Sequence, residues 1–192
     1  KIPKVDRIEW LWISDAQTAV DALNKGEVDL VEAPPHDLLP QLEQDKTITL
    51  LVTATVGRQF ALRFNSLHKP FDDPKVRQAV AYALNQQDFL QGTIGDSKWF
   101  AECKALFVCG SPLESKKGWD DKLGSDFAKS KALLAEAKYD GTPIVLMHST
   151  DIPSLTNLAP IAKQLLEKGG FKVDMQSMDW QTLVARRAKK DP

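Results

Sequence analysis

Apolar residues change period several times along this chain, and each change predicts an element. Ile8-Glu9-Trp10-Leu11-Trp12-Ile13 is apolar on both faces, which predicts a buried strand with Trp10 and Trp12 together in the core. Ser14 or Asp15 then caps a helix whose apolar positions are Ala16, Ala19, Val20 and Leu23, and Gly26 ends it. Residues 28–33 read as a second strand stopped by Pro34-Pro35, so residues 8–33 predict a compact βαβ unit. A short helix over 37–44 follows. Residues 47–53 and 59–64 then read as strands, with Gly57 at the turn between them.

At Asn65 the texture changes to a loop without period, and 65/66 is the predicted domain boundary. Asp73-Pro74 opens a helix with an N-cap carboxylate followed by proline, and Val76, Val80, Ala83 and Leu84 form its apolar stripe. Asn85 caps a second short helix over 86–91. Residues 93–124 carry glycines and both cysteines and predict a long ordered loop. Ser125 or Asp126 caps a helix that Tyr139-Asp140-Gly141 ends. Residues 143–147 form a strand and 148–154 a polar loop. A helix then begins around Thr156, because Pro160 fits only near a first turn. Gly169-Gly170, a strand over 171–176 and a helix from Asp179 through Ala188 complete a second βαβ unit. The pattern is α/β with two lobes.

Composition narrows the function classes. Among 192 residues, 25 Lys and Arg stand against 26 Asp and Glu, and a net charge of −1 gives no electrostatic case for a nucleic-acid partner. No apolar run approaches the ~20 residues of a membrane helix. The chain opens on Lys1-Ile2-Pro3 and stops directly after a helical pattern, which predicts a piece of a longer protein. Cys103 and Cys109 are the only cysteines, and neither zinc-ligand nor Cys-x-x-Cys spacing is present. A local disulfide and two free thiols both remain open; the Gly/Pro-bounded loop favours the disulfide, provided the compartment is oxidising. The scattered histidines suggest no metal site, and no cofactor is called for.

Few residues suggest chemistry. Glycine-rich phosphate loops are absent. His148, Ser149 and Asp151 have the residue types of a nucleophilic triad, and a hydrolase built on Ser149 and His148 is the alternative function. Adjacent strand residues point to opposite faces, however, and no Gly-x-Ser-x-Gly elbow is present. The same residues sit where a strand's carboxyl end meets a helix amino terminus, the place where open α/β sheets bind ligands. Loop 148–154, including Thr150, therefore reads as one wall of a ligand cleft. The segment after Gly57 reads as the other, with the Arg58 guanidinium free for a polar ligand and Phe60 as a flat apolar surface. Arg186, Arg187, Lys189 and Lys190 read as cations at a helix end, where they complement the dipole. Trp99 and Trp119 either wall the cleft or pack the loop.

The stretch from Phe64 to Asn85, with Asn65, Pro70-Phe71, Asp72-Asp73 and Val76-Arg77-Gln78-Ala79, resembles the family 5 extracellular solute-binding proteins, the dipeptide/oligopeptide-binding class that serves ABC importers. Ala22–Asp29, Ala132–Ala137 and Leu165–Val173 also resemble that family, so the likeness covers essentially the whole chain. It implies a periplasmic-binding-protein-like (type II) bilobal fold, incomplete here. Residues 1–65 would be the latter part of lobe I and 66–192 the first part of lobe II. It further implies a periplasmic protein without enzymatic activity that takes a peptide-like or other small solute to an ABC permease in the inner membrane. A binding fold recruited as a sensor or scaffold is the weaker alternative. By the same resemblance, the family's Trp-x-x-Asp stretch would be expected beyond Pro192. The position that carries an Arg in dipeptide binders falls near Ser149, where no Arg stands. The cysteine pair resembles that of a proteobacterial subgroup, whose extracytoplasmic setting suits a disulfide.

Overall fold

A computed structural model describes residues 4–54 and 56–189. The chain divides into two compact units, Lys1–Leu51 and Val52–Pro192.

In the first unit, α1 (Ala16–Asn24) starts where Asp15 accepts a bond from the Thr18 N–H, and its buried side is Val20 and Ala22. A 3-10 turn over His36–Leu38 leads into α2 (Leu39–Gln44), which buries Leu39 and Leu42. The flanking runs correct the sequence reading. Residues 8–13, 28–33 and 47–53 form no strand, so the first βαβ unit reduces to its helix. Trp10 and Trp12, expected in the core, are 80% and 90% exposed. A strand needs a neighbour to pair its backbone groups, and among the described residues these runs have none. Apolar content made them look like strands, but it supplies no partner.

The second unit is built on a parallel pair, β1 (Ile144–Ser149) and β2 (Val173–Met178), in the register Ile144↔Val173 to Ser149↔Met178. Between them run α6 (Pro153–Thr156) and α7 (Leu158–Lys168), the crossover that parallel strands require. Pro160 falls in the first turn of α7, as its missing donor demands. Helices α3 (Pro74–Ala83), α4 (Gln86–Thr93) and α5 (Phe127–Glu136) precede the sheet, and α8 (Trp180–Ala188) follows it. The expected strand over 59–64 is absent for the same want of a partner.

The core joins Val76, Val80 and Ala83 of α3 to Leu134 of α5, Leu165 and Leu166 of α7, Ile144 and Leu146 of β1, and Phe171. Gly169 marks its tightest point. A Cβ there would lie 2.6 Å from the Ala83 Cβ and 3.0 Å from the Ser130 Oγ, so only glycine lets the end of α7 approach α3 and α5. Ser130 is fully buried, and its hydroxyl donates to the Gly169 carbonyl at 3.0 Å. Residues 94–125 form an ordered loop broken by a 3-10 turn at Ser97–Trp99. The loop returns to the helices at Leu123 and Ser125, which bond to Ala81 and Leu84, and at an antiparallel bridge between Gly124 and Asn85.

Candidate functional site

Four of the six candidate ligand residues lie together where β1 ends. His148 is the last inward position of the β1 alternation and is buried at 8% exposure. Its Nε2 lies 2.9 Å from the Thr156 carbonyl, and its Nδ1 lies 3.0 Å from the Ser177 hydroxyl. A carbonyl can only accept, so Nε2 carries a proton and donates to it. The ring thus ties β1, β2 and the crossover together. Ser149 points the other way and donates from Oγ to the Asp151 carboxylate at 3.0 Å. The His148 ring bonds to Thr156 and Ser177 and not to Ser149, so the geometry is not that of a nucleophile and its base.

Thr150 extends the ladder by one bond, its N–H donating to the Met178 carbonyl at 3.1 Å. Asp151 completes the turn: the oxygen that accepts from Ser149 also accepts the Trp180 N–H at 2.8 Å. The start of α8 therefore receives two carboxylates. Asp179 is its N-cap, held below the usual carboxylate range by the Thr182 hydroxyl and then by the Thr182 N–H. Both place negative charge at the positive end of the helix dipole. The loop is preorganised, with exposed Thr150 and Asp151 at its surface and His148 and Ser149 beneath.

Arg58 and Phe60 lie on the segment after Gly57, whose φ of +75° gives the turn that the sequence reading expected. Both are exposed, Phe60 at 50%, and among the described residues Arg58 makes no hydrogen bond or ion pair. No hydrogen bond joins this segment to loop 149–152 among the described residues. Its bond runs elsewhere: Gln59 Nε2 donates to the Ala105 carbonyl at 2.9 Å, inside the turn closed by the Cys103–Cys109 disulfide. That pairing settles the alternative between a bridge and free thiols. Cys103 is held in turn by Gln86, whose amide accepts from its N–H at 2.8 Å and donates to its carbonyl at 3.1 Å.

Sequence reasoning missed Gln59 and Gln86, because nothing local distinguishes a glutamine that reaches a distant carbonyl from one in water. It also missed the cluster around Asp121. That carboxylate accepts from Tyr82 at 2.6 Å and pairs with Lys129 at 2.7 Å and Lys122 at 3.0 Å. Lys129, then Tyr82 and Lys122, hold Asp121 far below its ordinary range, and Asp121 in turn raises Lys129. The cluster ties the ordered loop to α3 and α5. A separate polar cleft of about 340 Å³ between Lys69, Asp73, Tyr139 and Asp140 contains none of the candidate residues. Two of its carboxylates are engaged locally, Asp73 with the Lys75 N–H and Asp140 with the Thr142 N–H. Among the described residues no cluster of His, Cys, Asp and Glu could hold a metal ion.

The chain is similar to proteins of a known family. The family model described as bacterial extracellular solute-binding proteins, family 5 Middle, matches residues 1–192. The probable peptide ABC transporter periplasmic-binding protein y4tO of Sinorhizobium fredii is 34% identical over 97% of this chain and 36% of its own length. The glutathione-binding protein GsiB of Escherichia coli (strain K12) is 28% identical over 93% of this chain and 34% of its own. Among solved structures, AgaA in complex with agropinic acid, from A. tumefacien R10, superposes with a TM-score of 0.70 at 23% identity, covering 91% of this chain and 35% of that one. DppA of Helicobacter pylori in complex with the peptide STSA gives 0.66 at 24%, covering 91% and 33%. The chain spans about a third of the length of the curated relatives it matches.

Proposed function

The chain belongs to the bacterial extracellular solute-binding proteins, family 5, and on that premise we propose that its protein is the periplasmic solute-binding component of an ABC importer. The protein captures a peptide-like or other small solute between two lobes and delivers it to a permease in the inner membrane, binding and releasing without chemistry. Residues 1–65 belong to the first lobe and 66–192 to the second. The family match along the whole chain carries this reading. The site chemistry supports it, because the only triad-like residues are committed to structural bonds.

Within that reading Arg58 and Phe60 form one wall of the solute cleft, and loop 148–151 forms the other. A guanidinium without a partner among the described residues suits a carboxylate, and a half-exposed phenyl ring suits an apolar side chain. Relatives named for peptides and for glutathione suggest a solute that carries a carboxylate. Calorimetric titration of the whole protein with glutathione, a tripeptide and agropinic acid tests this. Arg58→Ala should weaken the best binder by about 1–3 kcal/mol, as loss of a charged hydrogen bond does. Equal affinity in parent, Arg58→Ala and Phe60→Ala would move the cleft elsewhere.

A further inference from the structure

The segment carrying Arg58 and Phe60 belongs to no helix or strand, yet a site wall must hold its side chains in one orientation. Its anchor is the bond from Gln59 Nε2 to the Ala105 carbonyl. Ala105 is only 4% exposed, and its N–H donates back to the Cys103 carbonyl at 2.9 Å inside the turn. The disulfide closes that turn over six residues, and the Gln86 amide fixes Cys103 from α4 by two bonds. Adjacent side chains leave the backbone in divergent directions. Arg58 and Phe60, on either side of the anchored Gln59, are both exposed.

We propose that the disulfide-closed turn 103–109 positions the solute-facing segment 58–60, with Gln59 as the positioning residue between them. This rests on the proposed role of Arg58 and Phe60 at the cleft. The turn need not touch solute. Its work is to restrict the orientations of Arg58 and Phe60 before solute arrives, which lowers the ordering cost of binding.

Trypsin cuts a released, extended chain faster than an anchored one, so the rate of the cut after Arg58 reads positioning without any solute present. Each rate is normalised to the same bond in a synthetic peptide covering 54–64 of the same variant. The cut after Lys163, within α7 of the same unit, serves as internal reference. Gln59→Leu should raise the normalised rate about threefold to tenfold, the loss of one hydrogen bond. Cys103→Ser/Cys109→Ser should raise it similarly. Combining the substitutions should add nothing further, because both act through one bond. A purely structural loss would raise the Lys163 cut as well and would give additive effects. Unchanged cutting at Arg58 in Gln59→Leu, or additive effects in the combined variant, would overturn the proposal. If the cysteine variant fails to fold, Gln59→Leu alone still decides. The assay contains no solute, so its failure leaves the cleft assignment standing, whereas failure of the calorimetric titration removes the assignment and not the anchor.

Discussion

Asp151→Ala separates a structural carboxylate from a ligand-binding one. Asp151 lies on the loop proposed to face solute, yet its Oδ1 accepts both the Trp180 N–H at 2.8 Å and the Ser149 hydroxyl at 3.0 Å. Losing a charged acceptor at a helix start costs about 1–2 kcal/mol, and the lower half of that range applies because Asp179 caps α8 independently. Ser149 is 5% exposed, and stranding its hydroxyl costs about 1 kcal/mol more. The sum is ~2 kcal/mol, or about 4–8 °C in melting temperature for a chain of this size. Urea unfolding of parent, Asp151→Ala, Asp151→Asn and Ser149→Ala/Asp151→Ala measures it. Asn keeps an acceptor in place and should lose about half as much. The double variant removes the stranded hydroxyl and should recover ~1 kcal/mol. An Asp151→Ala variant that unfolds at the parent's midpoint would refute this reasoning and return the carboxylate to the solute. If the prediction holds, weaker solute binding in Asp151→Ala does not by itself identify a ligand contact.

Gly169→Ala should cost about 1–3 kcal/mol in chemical denaturation, because its methyl meets the Ala83 Cβ and helix backbone that cannot yield. Gly92→Ala should cost less than Gly169→Ala in the same assay, since its methyl meets only the movable end of Ile161. Asp121→Asn should narrow the acid dependence of stability. The folded carboxyl sits below its ordinary 3.8, so its contribution is complete above that pH and is lost as pH falls beneath it. Melting curves of parent and variant should differ at neutral pH in low salt and converge in acid below pH 3.8; parallel curves throughout would count against the cluster. Cys103→Ser/Cys109→Ser should lower unfolding free energy by roughly 2 kcal/mol, the chain-entropy value for so short a loop. Non-reducing alkylation of the parent should find no thiol.

Legibility in the sequence followed how local each determinant is. The caps at Asp15, Asp73, Asn85, Asp126 and Asp179 bond within three residues of themselves, and each opens the helix that the sequence predicts. The pair β1 and β2 was legible because its crossover helix lies between them in sequence. Runs 8–13, 28–33, 47–53 and 59–64 misled because strand formation depends on a partner, and apolar content reports only what a partner would cover. Trp10 and Trp12 misled for the same reason. At the site, His148 to Asp151 were legible as neighbours at a strand end. Their division into a buried tie and a helix-capping carboxylate was not, because the bonding groups lie at Thr156, Ser177 and Trp180. Gln59 and Ala105 are 46 residues apart, and no pattern in either neighbourhood announces their bond.

Solute capture by the whole protein is the central claim, and native mass spectrometry reads it directly. Protein purified without denaturation and offered glutathione, a tripeptide and agropinic acid should carry one small molecule per chain, either a member of that panel or a co-purified solute. Arg58→Ala should empty most of that population while keeping the parent's fold. A protein that holds none of these molecules, or an Arg58→Ala variant as fully loaded as the parent, would contradict the account.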